Sequence, residues 1–252
     1  MQIIIDDNLI NYYESLNGKE NFIILHGWGA MIQTVMPIIN HLKNIGNVYA
    51  LDLPGFGKSS EPKEVWDSYK YAEIVEKFIA KKKIDNPILI GHSFGGKICA
   101  IMASSPQNNV KKLVLIDASG IKPKRKLDYY IKVYTFKLMK KFYTLFNRDK
   151  KSLDNFYKKY GSDDYKAADG IMRKILVGVV NEDIKPILKD IKAKTLIFWG
   201  SDDDATPLYM ADEFHVGIKN SILKIVDGGH YSYLDHPNKF RETLDSFLDM
   251  EE

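Results

Sequence analysis

The feature that most constrains the fold is a regular alternation of short apolar runs with longer stretches of helical spacing. In the first half the apolar runs fall at residues 22–25, 48–53, 87–90 and 110–116, and the helical stretches at roughly 32–44, 66–82 and 94–104. Short apolar runs that end at turn residues are typical of strands buried on both faces of a sheet. Their alternation with helices predicts a parallel sheet covered by helices on both faces.

The alternation stops in the middle of the chain and then returns. Residues 119–186 show helical spacing and loop residues without a strand pattern, whereas strand patterns recur at 195–199 and 222–226. We therefore expect one α/β core domain made of residues 1–118 and 187–252, with residues 119–186 inserted as a helical cap. The 252 residues, 45% of them hydrophobic, suffice for one core of this kind.

Composition excludes several classes of protein. The chain holds 12 Phe, 15 Tyr and 3 Trp, too many for a disordered chain. Cys99 is the one cysteine, which excludes a disulfide scaffold and a zinc site built on thiolates, and favours a reducing compartment. The longest apolar run is far short of the roughly 18 residues that a membrane helix needs. The N-terminus lacks the basic start and long apolar stretch of a signal peptide. We therefore expect a cytoplasmic protein without membrane insertion.

A serine in a strand-to-helix turn is the first sign of chemistry. The pentapeptide GHSFG at residues 91–95 matches G-x-S-x-G, directly follows a predicted strand and directly precedes a predicted helix. This motif requires that setting, because the sharp turn lifts the serine hydroxyl above the carboxyl ends of the strands. Gly91 and Gly95 leave room for the crowded backbone. Ser93 is therefore the predicted nucleophile.

This serine turn resembles the nucleophile turn of the α/β-hydrolase fold. Four other segments resemble motifs of that family in the family's order: HGWG at 26–29, DLPGFGKS at 52–59, WGSDDDATP at 199–207 and GHYSYLDHP at 229–237. The resemblance runs over nearly the whole chain. It implies a mostly parallel sheet of about eight strands, with helices on both faces and a helical cap inserted after the sixth strand. It also implies hydrolysis without a metal or organic cofactor.

The family order of serine, acid and histidine assigns the remaining catalytic residues. His230 is the expected base, and its rival His236 matches the position that starts the final helix. Asp203 is the expected acid by its place between the glycine and the proline of its loop. Asp117, at the end of a predicted strand, is a second possible acid position.

Two backbone N–H groups are expected to form the oxyanion hole. One belongs to Phe94, the residue after the nucleophile. The other belongs to Trp28, the residue after His-Gly in the motif that the family uses for this purpose. The Trp28 indole is also placed to line the acyl pocket, and Arg173 and Tyr231 are further candidates for contact with the substrate.

The predicted cap is strongly basic in its first part. Residues 119–160 contain 13 Lys and Arg against 3 Asp, whereas the whole chain has a net charge of +3. Such a small total gives no indication of nucleic-acid binding. Three interpretations of the basic segment stay open: solvated lysines on a lid helix, weak association with an anionic membrane surface, and steering of an anionic substrate. Arg173 is either a carboxylate clamp or part of a structural ion pair.

The chemistry implied is acyl transfer to water. The HGWG segment resembles one found in methyl-ester esterases of the family, so we expect a serine hydrolase of a small to medium carboxylic ester. Two alternatives stay open: a C–C bond hydrolase of a β-diketone-like acid, and a ligand-binding, receptor-like protein with little turnover. Dehalogenases and epoxide hydrolases of the family carry an Asp at the nucleophile position, which disfavours those reactions. The expected partner is a small-molecule ester or related acyl compound, and the sequence does not indicate an oligomeric state.

Overall fold

An eight-stranded sheet organises the chain in a computed structural model that describes residues 1–124, 134, 135, 138 and 168–249. The spatial order of the strands is β1-β2-β4-β3-β5-β6-β7-β8. The strands are β1 (Gln2–Ile5), β2 (Asn8–Ser15), β3 (Asn21–Leu25), β4 (Asn47–Leu51), β5 (Ile88–His92), β6 (Lys112–Ile116), β7 (Lys194–Gly200) and β8 (Ser221–Val226).

In the spatial order of the sheet, the neighbouring strands β4, β3, β5, β6, β7 and β8 are all parallel to one another. β2 is antiparallel to both β1 and β4. The β1–β2 hairpin turns at Asp6 and Asp7, whose φ angles are 46° and 61°. A two-residue hairpin turn of this hand needs positive φ at both positions, which Asp tolerates better than most residues. The predicted mostly parallel, eight-stranded sheet is confirmed.

Helices cover both faces of this sheet. They are α1 (Met36–Leu42), α2 (Ser68–Lys82), α3 (Phe94–Ser104), α4 (Gly170–Val179), α5 (Tyr209–Gly217), α6 (Ser232–Asp235) and α7 (Pro237–Asp249). Successive side chains of β3 point to opposite faces of the sheet and therefore pack in two different hydrophobic clusters. Phe22 and Ile24 pack in the cluster that contains α1 and α7, whereas Ile23 and Leu25 pack in the cluster that contains α2, α3 and α5. None of the helices in the described ranges is long and apolar enough to cross a membrane.

Apart from residues 134, 135 and 138, the predicted cap is described only at its two ends. Residues 125–133, 136–137 and 139–167 lie outside the described residues, and this includes most of the basic segment. The described C-terminal part consists of α4 and a short 3-10 helix, Lys185–Asp190. Buried Ile175 and Val179 of α4 belong to the same cluster as α3 and the sheet. The C-terminal part of the predicted cap therefore packs on the core in the same cluster as α3.

Candidate active site

The turn between β5 and α3 holds Ser93 in a strained conformation. Its φ is 52° and its ψ is −114°, a region that a non-glycine residue occupies only when its surroundings enforce it. A side chain at Gly91 would overlap the carbonyl of Gly95, and one at Gly95 would overlap the carbonyl of Leu25. The turn itself thus requires Gly91, and its close packing against the end of β3 requires Gly95, as the sequence motif predicts.

Three side chains from separate loops form one chain of hydrogen bonds. His230 Nε2 lies 2.9 Å from Ser93 Oγ, and His230 Nδ1 lies 2.8 Å from Asp203 Oδ2. Ser93 follows β5, Asp203 follows β7 and His230 follows β8. The carboxyl ends of these parallel strands lie at one edge of the sheet, where α/β proteins bind ligands. With the Nδ1–H donated to Asp203, the Nε2 lone pair is free to accept the Ser93 proton.

The loop after β7 fixes the Asp203 carboxylate. Oδ1 accepts the N–H groups of Ala205 and Thr206, both at 2.8 Å, and Oδ2 accepts the Thr206 hydroxyl at 2.6 Å. Burial alone raises the pKa of Asp203, but the hydrogen bonds from His230 and Thr206 outweigh it and hold the pKa below its ordinary value. Neighbouring Asp202 and Asp204 are exposed. The buried aspartate of the three is therefore the one that faces His230.

Asp117 does not contact His230. Its Oδ1 accepts the Gly200 N–H at 2.9 Å, and its Oδ2 accepts the N–H and hydroxyl of Ser232 at 3.0 and 2.7 Å. Burial raises the pKa of Asp117 to about 6. This carboxyl ties the end of β6 to the end of β7 and to the segment that follows His230. The backbone carbonyl of His236 accepts the Phe240 N–H at the start of α7, which agrees with the expected structural place of that residue.

The loop after β3 passes directly beside Ser93. A Cβ added to Gly27 would lie 3.1 Å from Ser93 Cβ. The Trp28 ring meets the Phe94 ring edge-on, with 5.4 Å between the centroids. Phe94 opens α3, so its N–H has no acceptor within the helix. In the described residues, neither the Trp28 nor the Phe94 N–H takes part in the backbone hydrogen bonds of loops and caps.

A cavity of about 280 Å³ opens beside Ser93. Its wall includes Trp28, Phe94, His230 and Tyr231 from the core, and three residues from α4 and its C-terminal end: Leu176, Val179 and Val180. Arg173 is not among the described residues that line this cavity, and its Nε donates to the Ala168 carbonyl at 2.8 Å. Of the three candidate substrate contacts, Trp28 and Tyr231 thus lie at the cavity.

Two residues of this region are not among the sequence-predicted site residues. His92 donates from Nε2 to the His230 carbonyl at 2.7 Å and stacks on Tyr231, with 4.8 Å between centroids. Burial lowers the pKa of His92 to about 3, so the ring stays neutral. Lys97 is 2% exposed and lines the cavity. The sequence signal for Lys97 is that it stands as a single lysine among the apolar residues of α3.

Two other motif residues hold loops rather than substrate. His26 Nε2 accepts the Leu53 N–H at 2.9 Å, and burial lowers the pKa of His26 to about 4. Asp52 accepts the Ile32 N–H at 2.7 Å and the Lys58 N–H at 2.9 Å. These bonds connect the loops after β3 and β4.

Comparison with known proteins identifies a large set of similar hydrolases. Residues 20–237 match the family of the α/β hydrolase fold. The chain is 28% identical over 257 residues to the pimeloyl-[acyl-carrier protein] methyl ester esterase of Wigglesworthia glossinidia brevipalpis, covering 92% of this chain and 95% of that protein. It is 24% identical over 264 residues to the 2-hydroxy-6-oxononadienedioate/2-hydroxy-6-oxononatrienedioate hydrolase 1 of Pseudomonas putida, covering 95% of this chain and 91% of that protein.

A solved structure with a similar fold is a membrane phospholipase A described as a bacterial virulence factor. The TM-score is 0.78 and the sequences are 26% identical, with 99% of this chain and 85% of that chain covered. All three similar proteins are named for hydrolytic reactions on different bonds or substrates. The comparisons therefore support a hydrolase of this fold.

Proposed function

Because the chain belongs to the α/β-hydrolase fold family, we propose that it is a serine hydrolase that cleaves a small to medium carboxylic ester. The observation that carries this proposal is the uninterrupted hydrogen-bond chain from Ser93 through His230 to Asp203, at 2.9 and 2.8 Å. A serine hydroxyl is a weak nucleophile unless a base removes its proton and an acid orients that base. The three side chains have that arrangement.

In the acylation step, Ser93 Oγ attacks the ester carbonyl carbon while His230 Nε2 takes the hydroxyl proton. Asp203 stabilises the imidazolium that forms. The carbonyl oxygen becomes an oxyanion, which accepts hydrogen bonds from the N–H groups of Trp28 and Phe94. His230 then gives its proton to the leaving alcohol.

In the deacylation step, water attacks the acyl-enzyme at the same carbonyl carbon. His230 takes a proton from that water and returns it to Ser93 Oγ as the acid product leaves. His92 supports both steps in this proposal, because its bond to the His230 carbonyl holds the base loop in place. It acts through His230 and does not touch the reacting atoms.

Residues 119–186 form a lid over this site in our proposal. The contribution of α4 to the cavity wall supports it, because Leu176 and Val179 face the same space as Ser93. The basic segment of the lid falls largely on residues outside those described, so its role stays a prediction. Vesicle binding that weakens with added salt is the expected sign of a membrane-facing lid.

A C–C bond hydrolase of a β-diketone-like acid is the second candidate. The similarity to the Pseudomonas putida hydrolase over 95% of this chain favours it. Such a substrate requires a cation for its carboxylate. The sequence candidate, Arg173, does not line the described cavity, and Lys97, which does, is already balanced by Glu182. The ester reaction needs no such group and is therefore the function that the geometry supports best.

Hydrolysis of p-nitrophenyl esters from acetate to laurate tests the proposal. We expect activity on the shorter esters and a loss of about 10⁴-fold or more in Ser93→Ala. His230→Ala should lose a similar factor, whereas His236→Ala, a matched histidine at the start of α7, should keep its activity. No turnover of any ester and no reaction of Ser93 with a fluorophosphonate would instead favour the receptor-like alternative.

A further inference from the structure

A buried lysine lies one helical turn beyond the nucleophile. Lys97 follows Ser93 by four residues on α3, a rise of about 6 Å along the helix. Its side chain is 2% exposed, and it lines the cavity that contains Ser93. Its ammonium lies 5.9 Å from the centroid of the Phe94 ring. A buried charge in a pocket is uncommon, and its setting points to a role there.

Two acceptors lie beside the ammonium in the part of the chain that the structure describes. Lys97 Nζ donates to the Val179 carbonyl at the end of α4, and lies 3.4 Å from Glu182 Oε2. In residues 1–124 and 168–249 we find no third acceptor for it. An ammonium carries three N–H donors, and a buried donor without a partner is unfavourable. Among these residues one N–H has no acceptor, and the cavity that Lys97 lines has room for a group that would accept it.

The surrounding charges decide what kind of group this is. Glu182 balances the lysine, and its carboxylate also accepts the N–H of Ser68 at 3.1 Å and the Ser68 hydroxyl. The carbonyl end of α4 adds a partial negative charge beside the same ammonium. A substrate carboxylate would give this desolvated region a net negative charge, whereas a ketone, hydroxyl or ether oxygen would not. The site favours a neutral oxygen.

We propose that Lys97 donates a hydrogen bond to a neutral oxygen on the acyl chain, so that the preferred substrates are esters of oxo- or hydroxy-acids. This inference rests on the proposed esterase function, because it assigns the acyl group of that reaction to the cavity. It makes Lys97 a specificity residue. Plain alkanoate esters fill the same space but offer the lysine N–H no acceptor. Esters with a free carboxylate are repelled by the negative charge of Glu182.

The test uses p-nitrophenyl esters of equal chain length: hexanoate, 4-oxohexanoate, 5-oxohexanoate and the half-ester of adipate. In the wild type we expect kcat/KM for at least one oxo ester to exceed that for hexanoate by about tenfold or more, as for one buried hydrogen bond. In Lys97→Met, which removes the donor and shortens the side chain by one atom, this ratio should fall to about one. The ratio is taken within each variant, so it does not depend on the absolute rate on hexanoate.

Glu182→Gln provides a second, independent arm if Lys97→Met does not fold. It keeps the lysine donor and removes the balancing charge, so the rate on the adipate half-ester should rise relative to hexanoate. Circular dichroism reports the fold of each variant, and fluorophosphonate labelling reports the reactivity of Ser93 separately from acyl preference.

The outcomes separate the two proposals. Hydrolysis of hexanoate with labelled Ser93 but no preference for either oxo ester would overturn the role of Lys97 and leave the esterase intact. A wild-type preference for the adipate half-ester would also overturn it, because the charge argument would be wrong. Failure of every ester together with failure of labelling would overturn the esterase proposal and this inference with it.

Discussion

Asp203→Asn exchanges one oxygen of the acid for an NH₂ group and tests how the base is oriented. The Oδ1 position accepts two backbone N–H groups, from Ala205 and Thr206 at 2.8 Å each, and these bonds select which side the amide oxygen occupies. The NH₂ must then take the Oδ2 position, 2.8 Å from His230 Nδ1. There it donates to Nδ1, which forces the imidazole proton onto Nε2.

The wrong tautomer removes the base without disturbing its position. An Nε2 that carries a proton cannot accept the proton of Ser93, so acylation must proceed without general-base assistance. For a serine triad this loss amounts to about 10⁴ in kcat, or roughly 5.5 kcal/mol of transition-state stabilisation. The free energy of unfolding should change by only about 1 kcal/mol, because both backbone bonds to Oδ1 remain.

The assay is steady-state hydrolysis of the best p-nitrophenyl ester, with thermal unfolding measured on the same samples. Asp202→Asn is the matched control, because that aspartate is exposed and should keep full activity. A loss of less than about tenfold in Asp203→Asn would refute this reasoning, as would an equal loss in Asp202→Asn.

Three further predictions concern stability. Gly95→Ala should unfold the protein or destabilise it by more than about 2 kcal/mol in urea denaturation, because its methyl group would overlap the Leu25 carbonyl. Burial lowers the pKa of His26 to about 4, so the folded protein keeps this ring neutral where the unfolded chain already binds a proton, below about pH 6.5. The free energy of unfolding therefore decreases as the pH falls from about 6.5 toward 4. That contribution is about 3 kcal/mol and should be missing from the pH–stability profile of His26→Gln. Lys112→Met should lower the free energy of unfolding by about 1–3 kcal/mol, because the Lys112 ammonium donates to the carbonyls of Phe247 and Leu248 at the C-terminal end of α7, at 3.2 and 2.7 Å. The control Lys111→Met, at a more exposed position, should lower it by less than about 1 kcal/mol.

The parts of the site that the sequence could predict are those with strong local requirements. The turn around Ser93 needs glycine two residues before and two residues after it, and both the strand and the helix that it joins have clear apolar patterns. Local geometry and sequence pattern therefore agree there. The β1–β2 hairpin is the opposite case, because Asp6 and Asp7 adopt positive φ angles without a glycine to signal the turn.

The parts that the sequence missed depend on contacts between distant segments. His92 is bonded to the carbonyl of His230, which lies 138 residues away along the chain. Lys97 reaches Val179 and Glu182, which are 82 and 85 residues away. No local pattern encodes such pairs. The choice between Asp203 and Asp117 likewise depends on which loop folds toward His230, and the resemblance to the family, rather than periodicity, pointed to Asp203.

The measurement that tests the central claim most directly is reaction of the protein with a fluorophosphonate, followed by peptide mass spectrometry. It requires no knowledge of the natural substrate, because the probe reacts with a serine whose proton is removed by a neighbouring base. We expect one label per chain, on Ser93, with labelling abolished in Ser93→Ala and slowed by orders of magnitude in His230→Ala. An unlabelled Ser93 in folded protein, or a label on another serine, would contradict the proposed mechanism.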